Sequence, residues 1–137
     1  MDWVSALQPD HRVSFQEAVA CNLAPGGGLW MPGDLEPWSD IEALLRLPWR
    51  ERNGLILARV LGDRTPAGWA EALEVPFRLV RAPGDTWAFE LWHGPTFAFK
   101  DVGARFLAAC LESVPGPKLV LTATSGDTGA AVAAAMR

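Results

Sequence analysis

Cysteine is scarce in this 137-residue chain: Cys21 and Cys110 stand far apart, without the CxxC or Cys/His spacing of a metal site or the density of a secreted disulfide framework. Both therefore read as buried apolar thiols. Basic runs are also missing and the net charge is −4, which leaves no electrostatic footprint for nucleic acid or for an anionic membrane surface. No apolar stretch reaches the ~18 residues of a membrane span, and the opening MDWVSALQPDHR lacks the basic-then-apolar pattern of a signal peptide. A reduced cytoplasm is the location this predicts, with small molecules or proteins as partners. Apolar residues, by contrast, make up half of the chain, enough to bury a sizeable core as one domain or as parts of two.

The first eighty residues read as a helical module. Ser14 to Glu17 has the S-x-x-E form of a capping box, which predicts a short helix through about Ala20, ended by Pro25 and the glycines 26–28. Ser39 to Glu42 repeats the signal and opens a helix with Ile41, Leu44 and Leu45 on its apolar face, stopped by Pro48. Residues 49–61 carry helical spacing up to Gly62, and Thr65 with Pro66 marks a further helix start. Consecutive glycines can cradle a phosphate, but that use needs a strand before and a helix after. At 26–28 a helix precedes and the apolar segment 29–31 follows, so these glycines read as a helix-to-strand turn.

Composition changes at residues 81–85, Arg-Ala-Pro-Gly-Asp, a turn signal between two apolar runs. The expected domains are 1–83, mostly helical, and 84–137. In the second, 87–91 reads as a strand, 97–112 as a helix, 118–123 as a strand and 128–136 as an alanine-rich helix. Strand, helix, strand, helix is the opening of an open parallel α/β sheet.

Two segments of the second domain carry chemistry. In LWHGPTFAFKDVGARF, residues 91–106, a single lysine, Lys100, follows aromatic residues and opens a helix. A lysine attacks a carbonyl only as the neutral amine, and a free pKa of ~10.4 leaves little of that form at neutral pH. Burial among Phe97, Phe99 and Phe106, together with the positive end of the helix dipole, would lower it, while Asp101 would pull the other way if close. The plainer alternative is a lysine whose stem packs on aromatics while its head reaches water. In LTATSGDTGAA, residues 121–131, an apolar run breaks into Thr124, Ser125, Gly126, Asp127, Thr128 and Gly129 before a new helix. Free backbone N–H groups and hydroxyls converge there, and the glycines permit close approach, as an anion site requires. A plain helix start capped by Ser125 or Asp127 accounts for the same residues equally well.

The segments HGPTFAFKDVGARF and TATSGDTGAAVA resemble threonine synthase, a pyridoxal-phosphate-dependent lyase of the tryptophan-synthase β-like superfamily (fold type II). VSFQEAV at 13–19, the glycine-rich turn and GLWMP are similar to that family's helical amino-terminal domain, so the resemblance covers nearly the whole chain. Asp127 is the specific mark, since related lyases usually carry asparagine there. The resemblance implies that Lys100 holds pyridoxal phosphate in a Schiff base and later moves protons among the substrate carbons as general base and acid. It places Ser125, Gly126 and Asp127 beside the cofactor, and Thr124, Ser125, Gly126, Thr128 and Gly129 on the substrate, whose α-carboxylate they would take. It implies conversion of O-phospho-L-homoserine and water to L-threonine and phosphate, with the cofactor ring as electron sink. His93, Thr96 and Asp101 lie near the lysine without an assigned role. The family's second glycine-rich loop, which anchors the cofactor phosphate, lies further downstream than Arg137, so the expectation is an amino-terminal fragment inactive by itself. Phosphate release from phosphohomoserine by the isolated chain, with a borohydride-fixable adduct on Lys100, would overturn that expectation. Two alternatives remain open: another lyase of the same fold, such as a serine/threonine dehydratase, and a noncatalytic helical binding module.

Overall fold

The computed structural model describes residues 2–137 and divides them between two compact units, Met1–Pro66 and Ala67–Arg137. In the first unit, strand β1 (Trp3–Ser5) lies between β2 (Arg12–Val13) and β3 (Trp30–Pro32), antiparallel to both, with Trp3 opposite Val13 on one side and Pro32 on the other. Helix α1 (Phe15–Cys21) packs Phe15 against Trp3, ring centroids 5.2 Å apart. It begins with the predicted capping box: the Ser14 hydroxyl accepts from the Glu17 N–H at 3.2 Å, and Glu17 accepts from the Ser14 N–H at 2.8 Å. That backbone N–H, and then the hydroxyl, hold the Glu17 carboxyl below its ordinary range. The glycines at 26–28 form the expected turn into β3, with Gly26 and Gly27 both at positive φ. β1 and β2 were not foreseen: strands of two or three residues are too short to show an alternating pattern.

Helix α2 (Ile41–Leu45) shows how a distant contact overrides a local signal. The Ser39 to Glu42 box does not form; Asp40 takes the N-cap position and makes no cap bond, because its carboxylate is bound elsewhere. Both its oxygens accept from Arg59 of α3 (Trp49–Leu61), at 2.7 and 2.5 Å, with the guanidinium lying 5.2 Å from the Trp38 ring. Those hydrogen bonds hold the Asp40 carboxyl below its ordinary range. A carboxyl whose pKa is lowered by folding stabilises the fold above its unfolded value, and that contribution is lost as pH falls through the folded value. Acid titration of Asp40→Asn against the wild type should therefore show the wild type more stable at neutral pH, the gap closing progressively below about pH 4. A gap unchanged by acid would contradict the pairing. α3 ends as predicted at Gly62, whose positive φ suits glycine and whose N–H reaches the Ala58 carbonyl.

The helix expected from Thr65-Pro66 starts later than that signal. Thr65 is extended, as a residue before proline prefers, and α4 (Trp69–Leu73) starts after Gly68. β4 (Arg78–Arg81) and β5 (Trp87–Glu90) form an antiparallel hairpin, with Leu79 opposite Phe89 and Arg81 opposite Trp87. The turn at 81–85 is the loop of this hairpin, closed by the Ala82 N–H on the Thr86 carbonyl, and lies inside the second compact unit. Helix α5 (Lys100–Glu112) packs against α4 and against α6 (Asp127–Ala135). Alanines 70, 72, 104, 109 and 131 are buried, and side chains this small let helices approach closely. Arg105 of α5 ties α4 down, its Nε and Nη2 donating to the Ala72 and Glu71 carbonyls at 2.9 and 2.7 Å, at the end of a helix where carbonyls lack intrahelical partners.

One expectation holds in part and one needs correction. The mixed α/β character holds, but the parallel sheet does not form among the described residues: both sheets are antiparallel, and 118–123 pairs with no strand. A strand exists only where a neighbour takes its N–H and C=O groups, and β4 and β5 take each other's. Leu119 and Leu121 accordingly stand 84% and 83% exposed. Of the two thiols, Cys110 is buried, and burial pushes it up to about 11, but Cys21 at the end of α1 is exposed. Iodoacetamide at about pH 8 should modify Cys21 alone in the folded chain and both thiols after denaturation, as read by intact mass. Equal reaction of Cys110 in the folded chain would contradict its placement.

Among the described residues, no helix is long and apolar enough to cross a membrane.

Candidate functional site

The segment before Lys100 is built around one buried carboxylate. Asp101 is 1% exposed and accepts two hydrogen bonds from Thr96, from the N–H at 3.0 Å and from the hydroxyl at 2.6 Å. Around Thr96 the chain makes a tight turn, closed by the Phe97 N–H on the Gly94 carbonyl at 3.2 Å, with Phe97 at a φ of 58°. Gly94 is required for this approach: a Cβ there would stand 3.0 Å from Cβ and Cγ of Asp101 and closer still to Oδ2. The Asp101 N–H then reaches the Ala98 carbonyl and α5 begins.

Lys100 is the first residue of that helix and is half-buried. Its Nζ lies 4.5 Å from the centroid of the Phe99 ring and, among the described residues, forms no ion pair with a carboxylate. The expected aromatic burial is not what the chain builds, since Phe97 and Phe99 are 79% and 59% exposed. The left-handed turn at Phe97 directs that ring outward while burying Ala98. Asp101 is hydrogen-bonded by Thr96 and, among the described residues, makes no ion pair with the amine. His93 sits upstream with Nε2 2.7 Å from Oε2 of Glu90, both partly buried.

The second segment turns at Gly126, whose φ of 151° suits glycine, and enters α6 at Asp127. No side chain caps this helix, neither Ser125 nor Asp127. The Thr124 hydroxyl accepts from the Gly126 N–H at 3.1 Å, and the first helical bond runs from the Ala130 N–H to the Gly126 carbonyl. The N–H groups of Asp127, Thr128 and Gly129 thus stand at an uncapped, exposed helix start, which carries partial positive charge. Of the two readings open in the sequence, the start capped by Ser125 or Asp127 does not form.

Ala108, Leu111 and Glu112 of α5, Ala135 at the end of α6 and Met136 just after it line a common cavity of about 390 Å³. Sequence reasoning named Thr96 and Asp101 without seeing their bond, and it missed Glu90 as the partner of His93. The only sequence trace of the first is an acid at a helix start five residues after a threonine; that Asp101 is buried leaves no mark in the sequence.

No protein-family model matches the chain. Threonine synthase of Escherichia coli is 42% identical over 135 residues, covering 90% of this chain and 32% of that enzyme, and threonine synthase of Haemophilus influenzae is 39% identical over 140 residues, covering 97% and 33%. Among solved structures, threonine synthase from Escherichia coli superposes with a TM-score of 0.89 at 39% identity, over 98% of this chain and 34% of that one. PLP-bound threonine synthase from Brucella melitensis gives 0.82 at 29% identity, over 99% and 33%. The chain spans about a third of the length of the curated relatives it matches.

Proposed function

We propose that this chain supplies the cofactor-bearing lysine and the substrate-carboxylate loop of a threonine synthase acting on O-phospho-L-homoserine in threonine biosynthesis. The observation that carries the reading is an amine with no carboxylate partner among the described residues, at Lys100, in the same compact unit as an uncapped helix start at 126–129. The likeness to threonine synthases over nearly the whole chain supports it. So does the structure of the Brucella enzyme, which is PLP-bound.

The residues present fit pyridoxal phosphate in two respects. Lys100 offers a primary amine for the cofactor's aldehyde, and the uncapped N–H groups with the hydroxyls of Ser125 and Thr128 offer donors to carboxylate or phosphate oxygens. When bound, the cofactor supplies an electron sink for carbanion chemistry. Lys100 then takes and returns protons at the substrate carbons through Nζ, which as a flexible four-carbon arm can reach successive positions. Thr124, Ser125, Gly126, Thr128 and Gly129 orient the substrate by its α-carboxylate, and Ser125, Gly126 and Asp127 border the cofactor. On this reading, 118–123 serves as a strand of the open parallel sheet of fold type II, in a cytoplasmic enzyme.

The test is a hybrid enzyme in which residues 1–137 replace the aligned third of the Escherichia coli threonine synthase. Threonine and phosphate formed from O-phospho-L-homoserine are the expected products. A folded hybrid that instead released ammonia and a 2-oxo acid from serine or threonine would favour the dehydratase reading, and one inactive on both would contradict the proposal.

A further inference from the structure

We propose that the Thr96–Asp101 pair is a latch that aims Lys100, making Asp101 and Thr96 positioning residues for the lysine. The inference rests on the cofactor-lysine reading above and adds to it the device that fixes the amine's direction.

Its first support is geometric. Successive residues on a helix project about 100° apart, so anchoring the side chain of Asp101 fixes the rotation of the first turn and with it the direction of Lys100. The anchor is strong: a carboxylate 1% exposed, holding both the N–H and the hydroxyl of one threonine. A buried carboxylate requires such donors, and Lys100 does not serve as one, which leaves its amine available.

The second support is strain. Phe97 is a bulky non-glycine residue in the left-handed region, and it presents a ring 79% exposed to solvent, so its own burial does not account for the conformation. Such residues persist where the surroundings over-determine them. Here the surroundings are the Thr96–Asp101 bonds on one side, the Gly94–Phe97 turn bond within, and the Asp101 N–H on Ala98. Gly94 completes the latch by leaving room for the carboxylate. Once the latch is released, Phe97 can relax to negative φ, and the first turn of α5 loses its fixed direction.

Lys100 and Lys118 are the chain's two lysines, which provides an internal reference: Lys118 is exposed, and its Nζ donates to the Gly116 carbonyl. The experiment treats the chain with limiting pyridoxal phosphate, reduces with borohydride, and measures the ratio of label on Lys100 to label on Lys118 by peptide mass spectrometry. Wild type and Thr96→Ser, which keeps the hydroxyl, should favour Lys100. Thr96→Val and Asp101→Ala should lower the ratio by about tenfold or more, since misplacing a reacting group by about 1 Å can cost up to ~10²-fold. Each variant is measured well below its own melting temperature, and Thr96→Val, which keeps the Thr96 backbone bond and the side-chain size, serves if Asp101→Ala fails to fold. Loss of melting temperature with an unchanged ratio would reduce the pair to a structural role and overturn the latch. A wild type that labels both lysines alike would instead contradict the cofactor-lysine reading itself.

Discussion

Lys100→Ala should reduce threonine formation by the hybrid enzyme by roughly 10³-fold or more, because it removes both the amine that attaches the cofactor and the group that shuttles protons. Lys100→Arg should fare no better. A guanidinium keeps the charge but cannot be deprotonated at working pH, so it offers no nucleophile. Lys118→Ala, at an exposed position away from the helix starts, should leave turnover unchanged. Phosphate release and threonine yield, measured together, check all three. Retention of more than a tenth of the activity in Lys100→Ala would show that the amine is incidental and would revive the reading of a noncatalytic helical module.

Gly129→Ala should weaken substrate binding even though it improves the helix. In a helix interior, alanine is favoured over glycine by about 1 kcal/mol. At this position the added Cβ would lie 2.7 Å from Cγ2 of Thr124, so the loop must shift or strain, at a typical overpacking cost of about 1–3 kcal/mol. Thr124 is also the residue whose hydroxyl accepts the Gly126 N–H, so the shift propagates through the loop assigned to the substrate carboxylate. The expected result is a raised KM for phosphohomoserine with a smaller change in kcat. Thr124→Ser supplies the control, because serine keeps the accepting oxygen and lacks Cγ2. The double variant should recover most of the lost affinity, and a double variant as weak as Gly129→Ala alone would show that the clash is not the cause.

The features legible in the sequence were those set by near neighbours in the chain. The Ser14–Glu17 box, the span of α3 up to Gly62 and the placement of Lys100 at a helix start all depend on residues three or four apart, and the structure carries each of them. Features decided across longer separations were not legible. Asp40 is drawn from capping to Arg59, 19 residues away. Trp3–Ser5 becomes a central strand only through partners at 12–13 and 30–32. The segment 118–123 has strand composition, but composition does not supply a neighbour to pair with. At the candidate site, the residue types pointed to lysine chemistry and to an anion loop. The left-handed Phe97 and the burial of Asp101, which decide where Lys100 points, have no pattern in residue types alone.

The most direct measurement of the central claim is the position of the bond that pyridoxal phosphate makes. The chain is incubated with the cofactor, reduced with borohydride, digested and mapped by mass spectrometry, with Lys100, Lys118 and the amino terminus as the competing amines. The account predicts the cofactor mass on the peptide that contains Lys100, in clear excess over the others. A label spread evenly over the three amines, or found chiefly on Lys118, would contradict it.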